Sequence, residues 1–133
     1  MEQILIVSSS QKSKELLIDI VKSAGKYDIS SVDKGVLCRE IIKNNNFDLI
    51  IINAPLRDDY GERLAKFISQ NTNSDIILIV KNEDKNQLYK IEESGIYVME
   101  KPINKFLFIK IINAYIIHRR RYNFIINENK FFY

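Results

Sequence analysis

Short apolar runs alternate along the chain with segments whose apolar residues recur at helical spacing. Three runs, at residues 4–7, 48–53 and 75–80, consist mainly of isoleucine, leucine and valine. Two further runs, at residues 27–32 and 96–99, are shorter or more polar. Continuous apolar runs are typical of parallel strands that are covered on both faces. The pattern therefore predicts five strands of one parallel sheet, joined by right-handed helical crossovers.

Helical periodicity fills the intervals between these runs. The clearest case is the set Leu16, Leu17, Ile20, Val21 and Ala24. Gly25 follows this set as a stop signal. Weaker patterns occupy residues 36–42, 64–68 and 88–91, and Asn104 is placed to cap a last helix. Helices thus follow strands in strict alternation, which predicts a doubly wound α/β fold with helices on both faces of the sheet.

Length and composition place the chain among single-domain globular proteins. It has 133 residues, of which 46% are hydrophobic and 28% charged, and its net charge is +3. The single cysteine, Cys38, excludes an internal disulfide, and its apolar surroundings favour a buried, unreactive thiol. Residues 4–7 are too short for a signal peptide, and no run approaches the roughly 18 apolar residues of a membrane span. We expect a cytoplasmic protein without a membrane partner.

In a sheet of this type, functional residues lie just beyond the carboxyl ends of the strands. The residues at these positions are Ser8, Ser9, Ser10, Asn53, Val80, Lys81 and Lys101. No glycine-rich phosphate loop, pair of acids or nucleophile–histidine couple occurs there, so we expect no enzymatic activity.

Several segments, in order and at matching spacing, resemble the response-regulator receiver domain over residues 1 to about 117. The segment ILIVSSS stands where that family has an apolar strand followed by two acids. The segment FDLIIINAPLRDDYG stands where the family has its phospho-accepting strand and loop, and Asn53 and Gly61 keep the spacing between the acceptor and a loop glycine. The segment YVMEKPI matches the lysine–proline pair after the fifth strand. The resemblance implies a flavodoxin-like (βα)5 sheet, with an extended C-terminal helix in this chain.

The same resemblance implies a degenerate phosphorylation site. In the family, two acids after the first strand and the acceptor aspartate hold a magnesium ion. The corresponding residues here, Ser8, Ser9 and Asn53, are neutral, whereas magnesium prefers charged oxygen ligands. An amide cannot form an acyl phosphate. We therefore expect neither conventional phosphorylation nor a metal or other cofactor.

Three more positions bear on this comparison. Val80 replaces the switch hydroxyl that the family has after its fourth strand, and Val98 falls at the aromatic switch position with Tyr97 beside it. Lys101 is retained. It either binds an anion or hydrogen-bonds Asn53 or backbone carbonyls. We favour the second interpretation, because a lysine among neutral neighbours can satisfy its donors locally.

The serines and the loop acids leave further alternatives open. Ser9, with its serine neighbours and Lys101, could bind an anion. Serines after a strand serve more often as turn and N-cap residues, here for a helix beginning near Gln11. A phosphorelay receiver with an unusual acceptor, such as Asp58 or Ser9, is a second alternative.

Residues 104–133 contain no glycine or proline and predict one long helix. A heptad seam runs through Phe108, Ile111, Tyr115, His118, Tyr122, Ile125, Asn129 and Phe132. We divide the chain into a receiver-like domain, residues 1–117, and a helical extension, residues 118–133. The seam from Tyr115 to Phe132 predicts a homodimer, in a parallel arrangement. The alternative is that the helix packs into the core, which we favour for residues 106–117, and that the tail frays. The three arginines at 119–121 are expected to form a solvated collar.

The sequence thus predicts a signalling module of the two-component type that lacks the acceptor aspartate and acts through protein contacts or self-association. The segments ILIVSSS and GIYVMEKPINKFLF are also similar to receivers of ANTAR-type antitermination regulators. Those regulators bind nascent RNA through a C-terminal three-helix module. The alternative function is the sensing half of such a regulator, with RNA as a partner only if that module follows in the coding frame.

Overall fold

The computed structural model describes residues 1–81 and 95–129, with Asn129 described by its backbone alone. Its strands are β1 (Gln3–Ser8), β2 (Asp28–Val32), β3 (Leu49–Asn53), β4 (Asp75–Val80) and β5 (Tyr97–Glu100). They form one five-stranded sheet in the order β2-β1-β3-β4-β5, and every neighbouring pair is parallel. The helices are α1 (Gln11–Ala24), α2 (Gly35–Asn44), α3 (Gly61–Asn71) and α4 (Lys105–Asn129).

This architecture confirms the predicted flavodoxin-like α/β fold with a long last helix. Strand order reverses at β1, which lies between β2 and β3 although it comes first in the chain. The helix predicted around Leu88 and Ile91 lies outside the described residues. None of the helices in the described ranges is long and apolar enough to cross a membrane.

Alternating side chains of the strands build one apolar core on each face of the sheet. The first core joins strand residues to α2 and α3 and includes Leu5, Val7, Ile50, Ile52, Leu78, Cys38, Leu64 and Ile68. The second joins strand residues to α1 and α4 and includes Ile4, Ile6, Leu49, Ile51, Ile77, Leu17, Ile20, Phe108, Ile112 and Ile116. Because both faces of β1 and β3 are covered, these strands read as continuous apolar runs.

Two helices begin at the caps that the sequence predicted. Ser10 precedes α1, and its hydroxyl accepts a hydrogen bond from the Ser13 backbone N–H at 3.3 Å. Asn104 precedes α4, and its side-chain oxygen accepts from the Leu107 N–H at 3.0 Å. Both contacts satisfy amide groups of the first turn that have no partner within the helix.

α4 contacts the body of the protein with one side only. Phe108, Ile112 and Ile116 follow one another at four-residue intervals and are at most 1% exposed. The prediction that residues 106–117 pack into the core is therefore confirmed for these positions. Beyond them, Tyr122 and Ile125 are 59% and 57% exposed.

Two arginines hold the middle of α4 against the amino-terminal edge of the sheet. Arg119 pairs with Asp48 at 3.3 Å and with Asp75 at 3.1 Å, and its side chain is only 22% exposed. Arg120 donates two hydrogen bonds to the Glu2 carboxylate, at 2.9 and 2.7 Å. The predicted solvated collar is therefore wrong for Arg119, and Arg120 is ion-paired although its side chain stays 58% exposed.

Candidate functional site

The ends of β1 and β3 bring Ser8 and Asn53 together in the interior. The two residues are register partners in neighbouring strands, and they are 1% and 6% exposed. The Asn53 side-chain N–H donates to the Ser8 hydroxyl at 3.1 Å, and that hydroxyl donates to the Ser10 carbonyl at 3.1 Å. The amide and the hydroxyl are thus joined in one short chain of hydrogen bonds.

Lys101 lies beside them, directly after β5. Its backbone N–H donates to the Val80 carbonyl at 2.9 Å, and its ammonium donates to the Ala54 carbonyl at 2.7 Å. Burial, and next the positive charge of Lys81, lower the pKa of the Lys101 ammonium. The contact is the backbone-carbonyl bond that the sequence favoured, and it ties the loop after β3 to the end of β5.

Ser9 connects three loops at this edge of the sheet. Its hydroxyl donates to the Asp33 carbonyl at 2.8 Å and accepts from the Arg57 N–H at 3.0 Å. The Arg57 guanidinium also donates to the Ser9 carbonyl at 2.9 Å. Sequence reasoning missed the parts played by Asp33 and Arg57, because a contact between loops 24 and 48 residues apart leaves no periodic signal. Anion binding by Ser9 and Lys101 stays a prediction.

Asp58 and Asp59, in the loop after β3, both contact α2. Asp58 accepts hydrogen bonds from the Gly35 and Val36 N–H groups, at 2.8 and 3.0 Å, at the start of that helix. These bonds lower the pKa of the Asp58 carboxyl. Asp59 pairs with Arg39 at 3.0 Å. Each carboxylate therefore has a structural contact of its own in the loop after β3.

The two residues that the sequence places at the switch positions of the receiver family are apolar. Val80 and Val98 are partly buried hydrocarbon side chains that pack against the first core. Cys38 is fully buried in the same core, and burial raises the pKa of its thiol to about 12. This agrees with the expectation of an unreactive cysteine.

The donor set around Asn53 does not fit magnesium. Magnesium takes an octahedral shell of hard oxygen atoms, usually anchored by one or two carboxylates. The side chains that meet at Asn53 offer a neutral amide and a neutral hydroxyl, with the Lys101 cation bound to the adjacent Ala54 carbonyl. Within residues 1–81 and 95–129, no group of three or more His, Cys, Asp or Glu residues is arranged to hold a metal ion.

The predicted seam residues of α4 have different surroundings, and Phe108 is fully buried in the core, so the seam prediction is wrong for that residue. Tyr115 is partly buried and makes an edge-to-face contact with Tyr97 of β5, with ring centroids 6.3 Å apart. His118, Tyr122 and Ile125 are exposed. The side chain of Asn129 and all of Phe132 lie outside the described residues, so the seam dimer stays a prediction.

Comparison with known proteins assigns the chain to one family. The family model for the response regulator receiver domain matches residues 4–113. No curated protein matches the chain.

Three solved structures illustrate the similarity. The signal receiver domain of a protein described as a Luxo repressor, from Vibrio parahaemolyticus, is 23% identical, with a TM-score of 0.84 over 93% of this chain and 96% of that one. A response regulator receiver domain protein from Clostridium thermocellum is 15% identical, with a TM-score of 0.80 over 90% and 98%. A two-component response regulator from Clostridium difficile is 24% identical, with a TM-score of 0.76 over 87% and 96%. With most of its length matched by the family model, this chain belongs to the response regulator receiver domain family.

Proposed function

We propose that this receiver domain transmits signals through protein contacts and self-association, without accepting a phosphoryl group. The observation that carries the proposal is the Asn53 amide, which ends β3 and donates to the Ser8 hydroxyl at 3.1 Å. A phospho-accepting residue must supply an anionic oxygen as the nucleophile. An amide nitrogen that already donates a hydrogen bond offers no such group.

The charges near Asn53 support the same proposal. Phosphoryl transfer relies on metal ions that neutralise the charge developing on the phosphoryl oxygens. The nearby oxygen donors of Ser8 and Asn53 are neutral, and the Lys101 ammonium is hydrogen-bonded to the Ala54 carbonyl. The hydrogen bonds among these residues connect the loops after β1, β3 and β5.

The alternative acceptors have other partners. The Asp58 carboxylate accepts two backbone hydrogen bonds at the start of α2. The Ser9 hydroxyl both donates and accepts within the chain. Phosphorylation at either residue would first break these contacts, which argues against an unusual acceptor.

Intact-mass analysis after incubation with acetyl phosphate and magnesium tests this part of the proposal. A conventional receiver with an acceptor aspartate serves as the positive control. We expect the mass of the present chain to stay unchanged while the control gains one phosphoryl group. A gain that disappears in Asn53→Ala would contradict the proposal. A gain that disappears only in Asp58→Ala or Ser9→Ala would establish the unusual-acceptor alternative.

Self-association through α4 is the second part of the proposal. The exposed residues Tyr122 and Ile125 lie three positions apart on one side of α4, beyond Arg120, which contacts Glu2 of the body. Phe124 is also exposed, on another side of the helix. An exposed apolar surface of this kind is typical of a protein interaction site. Antitermination stays a prediction that rests on sequence similarity.

Light scattering over a concentration series tests self-association. We expect the chain to approach the mass of a dimer and Ile125→Glu to remain monomeric, because a buried charge opposes pairing. Asn127→Glu places the same charge at another exposed position of the helix and should still dimerise. These point variants are better suited than truncation after residue 117, which would also remove the ion pairs of Arg119 and Arg120. A monomer at every concentration would exclude self-association.

A further inference from the structure

We propose that the second copy packs against α4 in the antiparallel direction, with Tyr122 of each chain opposite Ile125 of the other. This inference rests on the proposed self-association and replaces the parallel arrangement that the seam pattern alone indicated. It follows from where the body of the protein lies around α4 and from two charged residues that border the exposed stripe.

One side of α4 is free to contact a second helix. Successive residues of a helix are rotated by about 100°. The side of α4 that carries Phe108, Ile112 and Ile116 faces the core. The stripe of His118, Tyr122 and Ile125 is centred about a third of a turn away from that side. A second helix can therefore lie along this stripe without displacing any contact between α4 and its own body.

The stripe continues over the body of the protein. Tyr115 lies one turn before His118 on the same side of α4, and it touches Tyr97 of the edge strand β5. Tyr97 is 37% exposed. With Tyr122 opposite Ile125, residues 118–129 of the two copies lie against each other, so the paired helix ends one turn from this tyrosine pair. An overlap of about 12 residues is about 18 Å long.

Arg121 and Glu128 decide the direction. Both are exposed, and at a separation of seven residues they lie on the same border of the stripe. When two copies run antiparallel with Tyr122 opposite Ile125, Arg121 of each copy faces Glu128 of the other. Two-fold symmetry produces this ion pair twice. Charged residues that flank an apolar seam set the orientation of paired helices in this way.

The competing arrangements lack this complementarity. An antiparallel pair shifted by one heptad brings Arg121 against Arg121, or Glu128 against Glu128. A parallel pair in register places Arg121 beside Ile126 of the other chain, and no opposite charge is matched. The antiparallel direction also aligns the two helix dipoles favourably and keeps the two receiver bodies, each in a chain of net charge +3, at opposite ends of the paired helices.

Disulfide cross-linking distinguishes these arrangements. Arg121→Cys and Glu128→Cys are prepared separately in the full chain, one with a size tag, and are oxidised alone and as an equimolar mixture. We expect covalent dimers in the mixture, and in neither variant alone. Asn127→Cys, on the far side of the helix, is the matched control and should not cross-link. Wild type should give no background, because Cys38 is fully buried.

A third variant reports the parallel direction. Ile125 faces Ile125 of the other chain in a parallel pair, so Ile125→Cys alone would cross-link efficiently there. Efficient cross-linking of Ile125→Cys, without cross-linking in the mixture, would overturn the antiparallel assignment and leave the dimer itself intact. A monomeric mass for the wild type would instead contradict self-association itself. Failure of the proposed direction and failure of the proposed self-association therefore give different results.

Charge exchange provides an independent readout that needs no oxidation. Arg121→Glu replaces two attractive contacts by two repulsive ones, and we expect the dissociation constant of the dimer to rise roughly tenfold. The double variant Arg121→Glu/Glu128→Arg restores opposite charges in the antiparallel pair and should return to within about threefold of wild type. A double variant as weak as the single one would overturn the proposed direction.

Discussion

At the scale of residues, Asn53 and Ser8 meet because β1 and β3 pair in a register that places them side by side. The sequence was sufficient to place Ser8, Asn53 and Lys101 at one edge of the sheet, since their positions follow from where the strands end. It could not reveal that Ser9 joins Arg57 to Asp33, or that Asp58 binds the start of α2. Those contacts depend on how loops distant in the chain fold against one another, which no local pattern encodes.

The surroundings of Gly61 leave no room for a side chain. A Cβ atom at this position would lie 2.8 Å from the Cβ of Ala54 and 3.0 Å from a methyl group of Leu78, both of which are buried. We therefore expect Gly61→Ala to lower the free energy of unfolding by about 1–3 kcal/mol. Urea denaturation measures this change, with Lys66→Ala on the exposed side of α3 as the control. An increase in stability, as expected for an unobstructed helical glycine, would show that Gly61 does not approach Ala54 and Leu78 this closely.

Asp58 should stabilise the start of α2 in a way that depends on pH. Two backbone N–H groups donate to its carboxylate, so the pKa of the group is lower in the folded protein than its ordinary value of 3.8. The stabilisation is fully present above that ordinary value and is lost as pH falls through the lower, folded value. We expect Asp58→Ala to cost about 1 kcal/mol at pH 7, and progressively less as the solution is acidified below about pH 4. A difference from wild type that does not change with pH would exclude this contact.

At the scale of elements, the sequence identified the strands and the long last helix, but it could not divide the surface of that helix correctly. Apolar residues occur on several sides of α4, so spacing alone did not separate the core-facing residues Phe108, Ile112 and Ile116 from the exposed stripe. Packing against the sheet determines which side of α4 is buried. The same cause explains the error at residues 119–121, because the partners of Arg119 lie 44 and 71 residues earlier in the chain.

Arg119 is expected to set where α4 leaves the body. Its guanidinium is 22% exposed and contacts two carboxylates and the Asn73 carbonyl. We expect Arg119→Ala to reduce the free energy of unfolding by about 2 kcal/mol, because it removes several charge-assisted hydrogen bonds. Amide hydrogen exchange in residues 115–122 should accelerate in this variant and not in Lys110→Ala, which removes an exposed charge from the same helix. Unchanged exchange would mean that the apolar contacts of Ile112 and Ile116 alone position the helix.

At the scale of the whole molecule, one receiver fold combines a sheet edge closed by internal hydrogen bonds with a helix that extends past the body. A fold can retain its architecture while the chemistry at its functional edge changes, because the strands need apolar side chains and the site needs only a few polar ones. Among the described residues, apolar cores cover both faces of the sheet, and the site is built from Ser8, Asn53 and Lys101. The proposed output is therefore assigned to the surface of α4.

The most direct test of this account is the amide NMR spectrum of the isotope-labelled chain, recorded before and after magnesium and then acetyl phosphate are added. The variant with Ser8→Asp, Ser9→Asp and Asn53→Asp is the positive control, since three carboxylates at these strand ends would provide the ligands that magnesium prefers. We predict saturable magnesium-dependent shifts in that variant. In the wild type, we predict only the small, general changes that sodium chloride also produces. Saturable shifts of Ser8, Asn53 and Lys101 in the wild-type chain would contradict the account.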